Sequence, residues 1–156
     1  MQTSAPLEIG QEAPDFSLKG PGGQPVTLSE YRGRNHVVLV FFPLAFSPVC
    51  SHQLPAIEKE IGRIAALGAV VLGVSVDSHW ANTVFAERLR LSFPLLSDFS
   101  RTTSAAYGVL VDAVGHSARA VFVVDRQGRI AYKDVSVTPD LVPDNQRLVG
   151  ALEGLR

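Results

Sequence analysis

The sequence holds one cysteine, Cys50, among 156 residues. A lone thiol cannot close an internal disulfide or build a cysteine-based metal cluster, and His36, His79 and His116 are too scattered to suggest a metal site. There is no cluster of basic side chains: 14 Lys and Arg stand against 15 Asp and Glu, for a net charge of −1. That balance offers no field for nucleic acid or an anionic membrane. No apolar stretch approaches the roughly 18–20 residues needed to span a bilayer. The opening MQTSAPLEIG has neither a basic n-region nor an apolar h-region, so nothing marks it for export. With no cysteine pair, the expected compartment is a reducing cytoplasm.

What is present reads as a packed globular chain, 46% hydrophobic and 19% charged. Residues 1–156 are expected to form one domain, burying about 70% of the surface of the unfolded chain. Pro14 to Leu18 and Val26 to Leu28 alternate around Gly20-Pro21-Gly22-Gly23, which is hairpin punctuation. The glycines fit neither a P-loop nor GxGxxG, so a plain turn is expected. Ser29 to Tyr31 suggests one helical turn ended by Gly33. Val37 to Phe42 (VVLVFF) is apolar on both faces, as in a strand covered on both sides, and Pro43 stops it.

Ser47-Pro48 has the look of a helix start, with serine as N-cap and proline at the first helical position. Leu54, Ile57, Ile61, Ile64 and Leu67 continue at helical spacing to a stop at Gly68. Pro55 should kink that helix. Ala69 to Val76 then reads as a second buried strand, completing a βαβ unit with a parallel pair. Asp77 and Ser78 read as a turn or cap. Trp80 to Leu91 reads as a helix with Trp80, Val84, Phe85 and Leu89 on its apolar side. Phe93 to Leu96 is extended, Thr102 to Tyr107 a short helix, and Ala120 to Val124 pairs with Arg129 to Tyr132 across a glycine-containing turn. A helix from about Asp144 to Leu155 closes the chain. The expected fold is α/β, with a central mixed sheet and helices on both faces.

A lone cysteine is most often a small buried hydrophobe. Cys50, however, falls in the first turn of the helix that follows a buried strand, facing unpaired N–H groups and the positive end of the dipole. Lowering a thiol pKa from about 8.5 to about 6 requires roughly 3.4 kcal/mol of thiolate stabilisation. A helix terminus supplies about 0.3–1 kcal/mol, and at best about 2. A cation from elsewhere is therefore required. Arg119 is the candidate: if AVFVV runs antiparallel to VVLVFF, Arg119 lies at the sheet edge where the Cys50 helix begins.

These residues resemble a known family. Pro43, Ser47 and Cys50 match the peroxiredoxin motif of proline, three residues, threonine or serine, two residues, then the peroxidatic cysteine. Arg119 ahead of AVFVVD, the opening APDFSL and the FPLLSD segment match as well. The resemblance implies a thioredoxin-like fold with an N-terminal extension and a peroxidase that needs no cofactor. Such a peroxidase would reduce hydrogen peroxide and alkyl or lipid hydroperoxides through a Cys50 sulfenic acid. It further implies Cys50 as nucleophile, Ser47 as a hydrogen-bonding partner of the peroxide, and Pro43 as a shield against solvent. Arg119, with the N–H groups of Val49 and Cys50, would hold the thiolate and the peroxide oxygens. Gln53 either orients Arg119 or lies on the helix surface, His52 is expected to face solvent, and Phe46, Val49 and Trp80 suggest apolar walls.

A resolving cysteine is missing: five residues beyond Cys50 stands Pro55, and the tail has none. The chain thus resembles the short one-cysteine, AhpE-like group, which implies resolution by an external reductant, either a low-molecular-weight thiol or a thioredoxin- or mycoredoxin-like protein, and a homodimer. Two other functions compete. A binding module on the same scaffold, with Cys50 inert, has no use for the Pro43/Ser47/Cys50/Arg119 set. A thiol–disulfide oxidoreductase would need C-x-x-C, but Ser47 occupies that place.

Overall fold

In the computed structural model, which describes residues 5–136, 138 and 141–155, the N-terminal segment forms a hairpin of β1 (Ser17–Lys19) and β2 (Pro25–Thr27). A 3₁₀ turn at Leu28–Tyr31 follows, stabilised by a capping box between Thr27 and Glu30. The apolar run VVLVFF supplies β3 (His36–Phe41), buried along its whole length. Two helices come next, α1 (Cys50–Glu58) and α2 (Ile61–Ala66), then β4 (Ala69–Ser75), α3 (His79–Leu89), β5 (Leu95–Ser97) and α4 (Thr102–Ala106). A two-residue ladder joins β6 (Leu110–Val111) to β7 (His116–Ser117). The chain finishes with β8 (Ala120–Val124), β9 (Ile130–Val135) and α5 (Asn145–Glu153).

Seven strands form one mixed sheet in the order β2-β1-β5-β4-β3-β8-β9. β3, β4 and β5 are parallel, while β8 and β9 extend the sheet antiparallel. Side chains of β3 alternate between two cores. Val38 and Val40, with Phe42 just beyond, meet Leu54, Ile57, Ile64, Phe85 and Leu148 from the helices. Val37, Leu39 and Phe41 meet Ala13, Phe16, Leu28 and the Tyr107–Val109 segment behind α4. Burial pushes the pKa of the Tyr107 hydroxyl up, so it stays protonated and donates to the Pro14 carbonyl at 2.7 Å. No helix among the described residues is long and apolar enough to cross a membrane.

Two expectations are corrected, and one element is new. The single helix expected from Ser47 to Leu67 is two helices, broken at Lys59–Glu60, with Pro55 inside the first. Ile57 and Ile64 lie on either side of the break yet are buried in the same core, so helical spacing alone does not reveal it. Trp80 and Val84 do not face inward: Trp80 is 74% exposed and stacks on His79 with ring centroids 4.4 Å apart. The buried positions of α3 are Asn82 and Phe85. The β6–β7 hairpin is too short to leave an alternating signature.

Gly73 in β4 shows how tightly the helix-covered face is filled. A Cβ there would lie 2.5 Å from Leu95 Cδ2 and 3.5 Å from Phe42 Cε1. Gly73→Ala is expected to lower unfolding free energy by about 1–3 kcal/mol in urea titration, the usual cost of overpacking.

Candidate active site

β3 delivers the chain to the site. Phe41 is paired with Ala120 across the antiparallel β3–β8 ladder, so Arg119 sits opposite the end of β3. Pro43 follows, buried, and ends the strand. Leu44 to Ser47 then close a turn through Ser47 N–H to the Leu44 carbonyl at 3.4 Å. Phe46 occupies the third position of that turn with φ of +68°, a left-handed conformation that costs a non-glycine residue about 1–2 kcal/mol. Its ring lies against Phe85, with centroids 4.9 Å apart, and Arg88 lies 6.0 Å from the ring centre on the same side chain. Phe46 remains 49% exposed.

Ser47 does not cap α1 with its side chain. Its hydroxyl donates to the Leu44 carbonyl at 2.9 Å, while its own carbonyl accepts from the Ser51 N–H at 3.0 Å and the Ser51 hydroxyl at 2.9 Å. The tight turn places the Leu44 carbonyl within reach of both Ser47 donors, and this local bond replaces the cap. Helix α1 therefore begins at Cys50, with Val49 as its uncapped N-terminal neighbour. Among the described residues the N–H groups of Val49 and Cys50 have no acceptor, leaving two donors at the positive end of the helix.

Cys50 is fully buried, and Arg119 (3% exposed) and Gln53 (2% exposed) are buried beside it. One guanidinium nitrogen, Nη1 of Arg119, donates to Cys50 Sγ at 2.9 Å and to Gln53 Oε1 at 2.9 Å. A guanidinium has only donors, so the sulfur faces it as an acceptor, the role a thiolate fills best. A charge-assisted hydrogen bond contributes about 1.5–3 kcal/mol. The sulfur thus meets the Arg119 donor and the open N-terminus of α1 together. Gln53 is a core residue and not a surface one. Its neutral oxygen holds the guanidinium without cancelling its charge. Its Nε2 has no partner among the described residues, an orphan donor in the same buried group.

Val49 is half-buried, His52 is exposed, and Trp80 lies out on α3. The sequence gives no warning of two further polar residues. Ser117 is fully buried, and its hydroxyl donates to the Phe42 carbonyl at 3.2 Å, tying the strand that leads to Arg119 to the end of β3. Asp77 accepts the Ala45 N–H at 2.8 Å and so reaches the turn from β4. Both contacts join residues far apart in the chain, where spacing carries no signal.

Gln53→Leu removes the oxygen that holds Arg119. It is expected to slow the reaction of the thiol with peroxide about ten-fold, equivalent to about 1.4 kcal/mol. Gln53→Glu keeps an acceptor but its charge competes with the thiolate for Arg119, so its rate should fall between those of the parent and Gln53→Leu. Stopped-flow rates at fixed pH distinguish the two.

The AhpC/TSA family model matches residues 9–133. Alkyl hydroperoxide reductase E of Mycobacterium tuberculosis is 37% identical over 151 residues, covering 96% of this chain and 98% of the relative. Among solved structures, the peroxidoxin BcpB of Mycobacterium tuberculosis superposes with a TM-score of 0.86 at 28% identity, covering 96% of this chain and 99% of the other. The reduced 2-Cys peroxiredoxin of Plasmodium vivax gives a TM-score of 0.87 at 25% identity, with 95% and 81% covered. The sheet order, the buried thiol at a helix start and these likenesses agree: the chain belongs to the AhpC/TSA family and is a one-cysteine peroxiredoxin of thioredoxin-like fold.

Proposed function

We propose that this chain reduces hydroperoxides through Cys50 alone, with an external thiol completing each cycle. The single observation that carries the reading is the 2.9 Å approach of Arg119 Nη1 to Cys50 Sγ inside a buried site. The Cys50 thiolate attacks the terminal oxygen of ROOH. The S–O bond forms as the O–O bond breaks, sulfur is oxidised by two electrons, and the peroxide proton ends on the leaving oxygen as ROH, leaving a sulfenate that takes up a solvent proton to give the sulfenic acid. Charge that builds on that oxygen is met by Arg119 and by the Val49 and Cys50 N–H groups. Because the Ser47 hydroxyl proton is committed to Leu44, its oxygen accepts a hydrogen bond from the peroxide rather than donating one. Pro43 limits solvent at the end of β3. Phe46 and Val49 offer apolar contact to the R group of alkyl and lipid hydroperoxides.

With no second cysteine, the sulfenic acid is attacked by an incoming thiol, releasing water and forming a mixed disulfide. A second thiol then frees Cys50. Either a low-molecular-weight thiol or a thioredoxin- or mycoredoxin-like protein fills that role, in keeping with a reducing cytoplasm. Residues 1–156 act as one catalytic domain. Leu44, Phe46, Trp80 and Val84 are exposed around the active-site loop and α3, which supports a homodimer through that edge; light scattering is expected to give twice the chain mass at micromolar concentration.

Mass spectrometry tests the cycle. Reduced protein mixed with peroxide in the absence of thiol should gain one oxygen per chain and stop after one equivalent. Added thiol should give a transient mixed disulfide and then turnover. Sustained peroxide consumption without any thiol would contradict the one-cysteine cycle.

A further inference from the structure

We infer that Asp77 is a positioning residue for the peroxidase reaction, clamping the Pro43–Val49 loop over Cys50. The inference rests on the reading of Cys50 as nucleophile and adds a residue that touches neither the thiol nor Arg119 in the contacts described. A single carboxylate oxygen, Oδ2, accepts the Ala45 N–H at 2.8 Å and the Ser75 hydroxyl at 2.7 Å. The rest of the cluster is anchored. The buried Asn82 amide donates to Ser75 Oγ at 3.0 Å and to the Leu96 carbonyl at 3.2 Å, and the Ser97 hydroxyl donates to the Asp77 carbonyl at 2.7 Å. Ser75 of β4 and Ser97 of β5 thus hold Asp77 directly, Asn82 of α3 holds Ser75, and Asp77 in turn holds one N–H of the loop.

That N–H belongs to the residue directly before Phe46, whose left-handed backbone is the strained point of the loop. Strain of this kind persists only where the surroundings over-determine it, and a carboxylate-to-amide bond on the adjacent residue is such a restraint. The loop carries Ser47 and the Val49 N–H, and it lies beside a sulfur with no exposed surface. Its position therefore governs two things at once: the donors that meet the peroxide, and the access of larger reagents to the thiol.

The two roles give effects of opposite sign. Asp77→Ala, studied well below its melting temperature, should slow the reaction with hydrogen peroxide at least ten-fold and speed labelling of Cys50 by a bulky maleimide several-fold. Asp77→Asn keeps an oxygen able to accept both bonds and should recover most of the peroxide rate. Ser75→Ala removes one bond to Oδ2 while leaving the Ala45 contact, and should shift both rates in the same directions by smaller factors; it carries the test if Asp77→Ala fails to fold. The proposal is overturned if folded variants keep the parental peroxide rate. It is equally overturned if both rates fall together, or if the aspartate-to-asparagine change gives no recovery, since those results describe a residue that serves the fold alone.

Discussion

Cys50→Ser is expected to abolish peroxide consumption while leaving the protein folded. The exchange swaps one sulfur for oxygen at a fully buried position, so packing changes little. The new hydroxyl can accept the Arg119 Nη1 hydrogen bond that Sγ accepts now, which avoids leaving a buried guanidinium donor unpaired. A stability loss of about 3 kcal/mol or less is expected, since Arg119 keeps an acceptor but loses its partner charge, and it is readable as a shift in the urea midpoint. Chemistry is lost completely. A serine hydroxyl is a weak nucleophile unless a neighbouring base removes its proton. The groups around position 50 are a guanidinium and an amide, and neither is a base. No added oxygen should appear in the intact mass after peroxide treatment. Residual peroxidase activity in the folded variant would mean that the reaction does not pass through this thiol.

Arg119→Met is expected to lower the second-order rate with peroxide by about 10³ or more at pH 7. Removing one preorganised donor from an oxyanion site costs about 10²–10³. Leaving a buried charge without its partner costs a further 3–5 kcal/mol or so, which holds the sulfur as a neutral thiol. Methionine preserves much of the apolar stem, and the change removes a buried cation together with its partner charge, so unfolding free energy should change far less than reactivity. Arg119→Lys should fall between the two. Lysine restores a positive charge, but as a compact ammonium on a flexible stem that must reach both Sγ and Gln53 Oε1. A rate within a few-fold of the parent for Arg119→Met would place the activation of Cys50 elsewhere.

The main frame of this site is legible in the chain because it depends on strands with strong signals. VVLVFF and AVFVV are apolar on both faces and so must be buried, and antiparallel pairing carries Arg119 to the end of β3. A helix terminus cannot activate a thiol unaided, so a cation is needed, and the sheet supplies it. What is not legible is local geometry set by single atoms. Ser47 has the composition of an N-cap, but the Phe46 turn offers its hydroxyl a nearer carbonyl. Trp80 and Val84 are apolar and correctly spaced for a buried face, yet α3 buries Asn82 instead because that amide is tied to Ser75 and Leu96. Position alone allows two readings of Gln53, and its oxygen on Arg119 decides between them. Asp77 reads only as a turn residue and Ser117 carries no pattern, since their partners lie 32 and 75 residues away in the chain.

Stopped-flow mixing of the fully reduced protein with hydrogen peroxide, and separately with a lipid hydroperoxide, tests the central claim most directly. A Cys50 thiolate held by Arg119 should react orders of magnitude faster than free cysteine and yield one sulfenic acid per chain. Reaction no faster than free cysteine would contradict it and return Cys50 to the status of an inert core residue.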